Sequence, residues 1–232
     1  MIGLMPIEND EKQPKAWLGI IWVVLYFILD SIGQFIAILL QFYAGTMDTA
    51  LNHFQMTWYM NLTQAFALGV IILLAYSTNM RLFSFKPFSK KATIQALIIG
   101  AATLLVSNVL EFTISLLNPN FNTANQTGLE GFLTNSSVLT MFTAIVILAP
   151  IAEETIFRGL IMGVILRKYP KIAVIVSSLL FTFLHIPTDI LSFLIYFVMA
   201  FGLAFMYYKT RRLEACILLH FINNLVAFFF MI

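Results

Sequence analysis

Apolar residues run in long stretches along this chain, broken by short polar connections. A stretch of roughly 20 apolar residues is long enough to cross a bilayer as a helix. The pattern predicts seven such helices, at about 16–41, 57–76, 92–117, 137–166, 172–185, 190–207 and 215–232. The fourth is long and contains Pro150; the fifth is short and ends at Pro187. The expected fold is all-α, a polytopic membrane helix bundle with about seven transmembrane helices. Residues 118–136, rich in Asn, Thr and Gly, read as an outer loop, with Pro119 helping to end the third helix.

Composition and charge sharpen this picture. Hydrophobic residues make up 60% of the 232 and charged residues only 10%, against roughly 25% charged in a soluble domain. The chain is expected to be a multi-pass integral protein of the cell membrane, without a large soluble domain. The net charge of +2 does not suggest a nucleic-acid partner; the expected surroundings are the lipid bilayer. The single cysteine, Cys216, excludes an internal disulfide and reads as a small core residue. Residues 1–15 are polar and hold three acids, unlike a cleaved signal peptide.

Where the basic residues fall sets the orientation. All 13 Lys and Arg lie on one side: Lys12 and Lys15, then Arg81, Lys86, Lys90 and Lys91, then Arg158, Arg167, Lys168 and Lys171, then Lys209, Arg211 and Arg212. Connections 42–56, 118–136 and 186–189 hold none. The positive-inside rule puts the N-terminus and the basic loops in the cytoplasm. The chain then divides into a cytoplasmic tail at 1–15, three transmembrane helices with their outer loops at 16–136, and a core at 137–232.

Candidate chemistry sits inside the apolar pattern. Residues 138–150 carry no charge, yet Glu153-Glu154-Thr155-Ile156-Phe157-Arg158 follows at once. An ionisable group at the centre of a membrane helix costs at least ~2.5 kcal/mol and usually marks function. On a helix, Glu154 and Arg158 share one face and can pair, while Glu153 points about 100° away. The bland alternative is a helix end whose charges lie at the lipid headgroups.

Of the three histidines, His53 reads as a solvated residue of an outer loop. His185 lies one helical turn after Phe181, and His220 one turn before Asn224, with Asn223 turned away. Each pair, taken alone, also reads as a polar contact locking two helices. Their depths converge, however. Glu153, His185 and His220 lie on the order of 12–21 Å along their helices from the nearest basic edge, within a hydrocarbon layer ~30 Å thick. A carboxylate near a histidine can take a proton from water, and a histidine with an asparagine amide can stabilise a developing oxyanion. Zinc is the competing account, with Glu153, His185 and His220 as ligands and one open position.

Three motifs in this order, Glu153-Glu154-x-x-x-Arg158, Phe181-x-x-x-His185 and His220-x-x-x-Asn224, resemble those of the CPBP intramembrane proteases. That group includes type II CAAX prenyl proteases, bacteriocin-processing and self-immunity proteins, and the Abi proteins. The resemblance implies that 137–232 is a catalytic core and that the chain is an intramembrane endopeptidase. Its substrate would be a membrane-associated polypeptide: a prenylated tail, a pheromone or bacteriocin precursor, or a membrane-anchored regulator. Glu153 with His185 would activate water, and His220 with Asn224 would form the oxyanion hole. Glu154, Arg158 and Phe181 would support them. The mechanism it favours is glutamate-dependent with no cofactor, zinc remaining the alternative. The site is expected to be reached from the cytoplasm. Asp30 and Glu111, inside apolar stretches outside the motifs, read as structural or snorkelling acids, or as residues shaping the substrate path. Two non-protease readings stand beside this one: a non-catalytic immunity or scaffold protein that binds a peptide or partner, and an ion or proton transporter, which the lack of an internal repeat weakens.

Overall fold

The computed structural model describes residues 14–46, 53–84, 86–133 and 137–231. Eight helices account for most of them: α1 Ala16–Thr46, α2 His53–Ser77, α3 Lys90–Leu117, α4 Ala124–Leu133, α5 Val138–Ile165, α6 Pro170–Leu184, α7 Ile190–Thr210 and α8 Leu213–Met231. Among the described residues there is no strand. Six helices are long and apolar enough to cross a membrane, and α6 is a shorter apolar helix. The expected seven are therefore present, with α6 the short one. Most of the tail read at 1–15, and parts of connections 42–56 and 118–136, lie outside the described residues.

Three expectations need correction. The loop read at 118–136 contains a helix, α4. Thr123 starts it by accepting the backbone N–H of Gln126 on its hydroxyl, at 3.1 Å, a cap that needs no apolar periodicity. His53, read as a loop residue, is the first residue of α2. Arg158, grouped with the basic residues of the cytoplasmic edge, is fully buried inside the bundle.

Burial follows the demands of a membrane. Large apolar side chains such as Leu62, Leu73, Leu97, Leu105 and Leu117 are exposed on the outside of the bundle. Water would penalise that surface, whereas hydrocarbon does not, and the helices satisfy their own backbone groups. This is a multi-pass integral membrane protein. Inside, Ile71, Ala152, Leu160, Ala173, Leu203 and Cys216 belong to one continuous apolar core built from α2, α5, α6, α7 and α8. Gly202 brings α7 hard against α3: a Cβ there would collide with the Thr103 side chain.

The two ends of the bundle differ. At the basic end, Arg167 donates to the Pro14 carbonyl at 2.9 Å. Arg212 donates to the carbonyls of Ser84 and Lys86, at 2.8 and 2.7 Å, and Glu214 accepts the Ser84 N–H at 2.6 Å. The basic connections thus pack together. At the opposite end, the Thr123 and Tyr196 hydroxyls are 2.6 Å apart, tying the start of α4 to α7.

Helix α5 is not a uniform α-helix. Its segments Thr143–Leu148 and Thr155–Ile165 are wound as π-helix, flanking Ala149–Glu154. The wider turn shows in the bond from the Ala149 N–H to the Ala144 carbonyl. In that register the next donor would be residue 150, and it is a proline. The Ile145 carbonyl is left to a partner from outside the helix, a common feature of π-bulges at functional sites.

Candidate active site

That partner is Asn224, whose Nδ2 donates to the Ile145 carbonyl at 2.9 Å. The break made by Pro150 in α5 therefore fixes the register of α8 against it. One turn earlier on α8, His220 is brought to the two glutamates.

Glu154 is the hub of the polar layer. Its Oε1 accepts from Arg158 Nη1 at 2.9 Å and lies 2.9 Å from His220 Nδ1. An ionised carboxylate only accepts, so Nδ1 carries the proton that it shares with Glu154. Arg158 donates its other terminal nitrogen to the Ala200 carbonyl at 2.8 Å, reaching into α7. Its Cζ lies 4.8 Å from the centre of the Phe181 ring. Glu154 and Arg158 are wholly buried and His220 is 3% exposed. Buried charges are tolerated when paired; here they are paired through Glu154 Oε1, while Glu154 Oε2 and Arg158 Nε have no hydrogen-bond partner among the described residues.

Glu153 points elsewhere, as its place on the helix requires. Its side chain is 22% exposed, and its Oε2 lies 3.9 Å from His220 Nε2. That oxygen is itself buried and has no hydrogen-bond partner. On α6, His185 places Nδ1 2.9 Å from the Phe181 carbonyl. A carbonyl can only accept, so Nδ1 is the donor and Nε2 is left as the acceptor of the neutral ring. The imidazole stacks on Phe181 at 4.6 Å and packs on Tyr196 at 4.7 Å. Phe181 also lies 5.7 Å from the His220 ring. Phe181 is therefore the apolar spacer between Arg158 and the two histidines.

The motif residues meet at the inner end of a cavity of about 850 Å³, lined by Glu153, Phe181, His185, His220 and Asn224. Its other walls come from the later part of α3, from residues 121–129 and from the last turns of α8. All of these belong to the end of the bundle that lacks basic residues. On the basic side of the polar layer the core is packed solid with Ile156, Leu160, Ala204, Leu213 and Leu219. The cavity lies in the half of the bundle away from the basic loops.

Several polar residues of the site lie outside the motifs. Asn223, expected to turn away, lines the cavity and donates to Asn224 Oδ1 at 3.4 Å. Tyr196 and Glu111 line it too. Glu111 sits in an apolar helix and is visible in the sequence for that reason; Tyr196 offers no such signal. Among the described residues, no group of three His, Cys, Asp or Glu is arranged to hold a metal ion.

The chain is a bundle of membrane-spanning helices with a carboxylate–histidine cluster buried in its interior. Residues 135–226 match the family model described as Type II CAAX prenyl endopeptidase Rce1-like, a segment that contains all three motifs. The chain is 32% identical over 130 residues to UPF0177 protein YvdC of Lactococcus lactis subsp. lactis (strain IL1403), covering 56% of this chain and 49% of that protein. It is 37% identical over 79 residues to "Putative membrane peptidase YdiL" of Bacillus subtilis (strain 168), covering 34% and 32%. UPF0177 protein YaiF of the same Lactococcus strain is 31% identical over 126 residues, covering 53% and 56%. The chain thus spans between about a third and just over half the length of these curated relatives. No solved structure matches.

Proposed function

We propose that this protein is an intramembrane endopeptidase that hydrolyses a peptide bond of a membrane-associated polypeptide. The observation that carries the reading is Glu153 Oε2: buried, without a partner, and 3.9 Å from His220 Nε2. That gap is too long for a direct hydrogen bond, so the oxygen is left to take a proton from a water while His220 stays close enough to reach the same reacting carbonyl.

In this reading Glu153 takes a proton from a water molecule that is also held by the acceptor nitrogen of His185. The hydroxide adds to the scissile carbonyl carbon. The carbonyl oxygen becomes negative and is met by the Asn224 N–H not used on Ile145, and by His220 when its Nε2 also carries a proton. Glu154, itself neutralised by Arg158, supports the doubly protonated ring. Glu153 then gives its proton to the departing amine nitrogen as the C–N bond breaks. Both new termini are accounted for, and no covalent enzyme intermediate forms.

Detergent-purified wild type and Glu153→Gln, incubated with candidate membrane peptides and read by mass, test this. Loss of a general base typically costs 10²–10⁴-fold, so the variant is expected to give no product above that level while eluting and melting like the wild type. Equal product from both proteins overturns the reading. No step here runs through a metal. Chelation is expected to leave cleavage unchanged; loss on chelation with recovery on added zinc would replace this mechanism with the metal-dependent one.

A non-catalytic immunity or scaffold role has one observation in its favour. Asn224 and Glu154 are already engaged in bonds that lock helices together. It predicts partner binding without product in either protein.

A further inference from the structure

Glu111 has no place in the peptide-bond chemistry, yet it lines the same cavity. Along α3, Asn108, Glu111, Phe112 and Ser115 recur at the spacing of one helix face, and all four face this space. Glu111 lies six residues before the end of α3 at Leu117, about 9 Å along the axis. Neither a hydrogen bond nor an ion pair to another described residue holds its carboxylate. Among the described residues, no lysine or arginine lines the cavity. A carboxylate within a membrane helix is costly and is normally paired or turned to a water-filled cavity. Glu111 faces the cavity without such a pair among the described residues, so a cationic group brought in by a ligand would find an unclaimed carboxylate there.

The direction of entry follows from the packing. The rim is built from residues 121–129, and the segment 118–136 holds no Lys or Arg. The basic connections lie at the far end, beyond the packed core. Basic loops mark the cytoplasmic face, so the mouth is extracytoplasmic.

We propose that the substrate enters from the extracytoplasmic side, and that Glu111 is a specificity residue selecting a polypeptide segment with a cationic side chain. This rests on the peptidase reading for the word substrate; the placement of the mouth and the charge preference do not. Rim and wall are rich in side-chain amides, among them Asn122, Asn125, Gln126 and Asn223. These can hydrogen-bond an extended backbone without regard to its sequence. Among the described residues, Glu111 is the one wall carboxylate outside the motifs, and it supplies the discrimination that they lack.

Two experiments, both independent of cleavage, test it. In the first, Asn125→Cys, Asn223→Cys and Lys168→Cys are treated in intact cells with a membrane-impermeant maleimide; Cys216 is buried and gives little background. The two cavity variants are expected to label in intact cells, and Lys168→Cys only after permeabilisation. The reverse pattern overturns the entry side. In the second, a fluorescent Leu/Ala-rich peptide with one central lysine, and its twin with glutamine there, are titrated against purified Glu153→Gln protein, which retains Glu111. The lysine peptide is expected to bind about tenfold more tightly, a difference of about 1.4 kcal/mol. Adding Glu111→Gln should abolish the preference, and Glu111→Asp should keep most of it. Equal binding of the two peptides, no binding of either, or a preference that survives Glu111→Gln overturns the specificity claim. If these hold while Glu153→Gln proves as active as wild type, the peptidase reading fails and this one stands.

Discussion

Two adjacent glutamates are set to different uses by one helical step: Glu154 is ion-paired to Arg158 and Glu153 is not. Glu154 Oε1 binds both Arg158 and His220, and Glu153, turned about 100° around the helix, keeps a carboxylate oxygen without a partner. Removing one member of a buried ion pair costs about 3–5 kcal/mol because the other charge is left uncompensated. Glu154→Ala is therefore expected to lower the melting temperature in detergent sharply, and Arg158→Met nearly as much. The double variant Glu154→Gln, Arg158→Met removes both charges and is expected to recover much of the lost stability. A double variant no more stable than either single one would mean that the pair does not act as a unit. Cleavage should not recover with stability, because His220 would have lost the carboxylate that orders its ring.

The elements owe their placement to a few local irregularities. Proline in α5 frees the Ile145 carbonyl, π-turns flank the two glutamates, and Asn224 ties α8 to that break. Close approach of α3 and α7 depends on the missing side chain at Gly202. Gly202→Val would push these helices apart, and overpacking of this kind costs about 1–3 kcal/mol. The expected result is a lower melting temperature and a disturbed cavity, since both helices line it; an unchanged melting curve would refute the tight crossing. At the start of α7, Asp189 accepts the Ser192 N–H at 2.8 Å, and the Asp189 N–H donates to the Ser192 hydroxyl at 3.0 Å. The bond from the Ser192 N–H, before all, holds the Asp189 carboxyl below its ordinary value of 3.8. A depressed carboxyl stabilises the fold above its unfolded value, and that contribution fades as pH falls through the lower folded value. Asp189→Asn should therefore flatten the acid side of the stability profile below about pH 4, with little effect on its shape near neutrality. Thermal melts of both proteins across that range check it.

At the scale of the whole molecule, the bundle is polarised. One end gathers the basic connections and closes over packed core, and the other opens a cavity onto the carboxylate–histidine layer. The proposed peptide cleavage would need such an arrangement, because water and substrate must arrive while lipid is kept out.

Much of this was legible in the chain itself. Helix spans follow from runs of apolar residues and the Glu154–Arg158 pair from a four-residue step, both of them local properties that any helix imposes on its own sequence. The meeting of Glu153, His185 and His220 could be anticipated only as a shared depth. What packing alone decided lies between helices: that His220 leans on Glu154, that Asn224 answers the carbonyl freed by Pro150, that Asn223 and Tyr196 join the walls, and that the cavity lies away from the basic end. Such contacts depend on how each helix is rotated and where it crosses its neighbours. Those are set by the fit of many side chains far apart in sequence, and a single position such as Gly202 leaves almost no trace of that fit in the linear pattern.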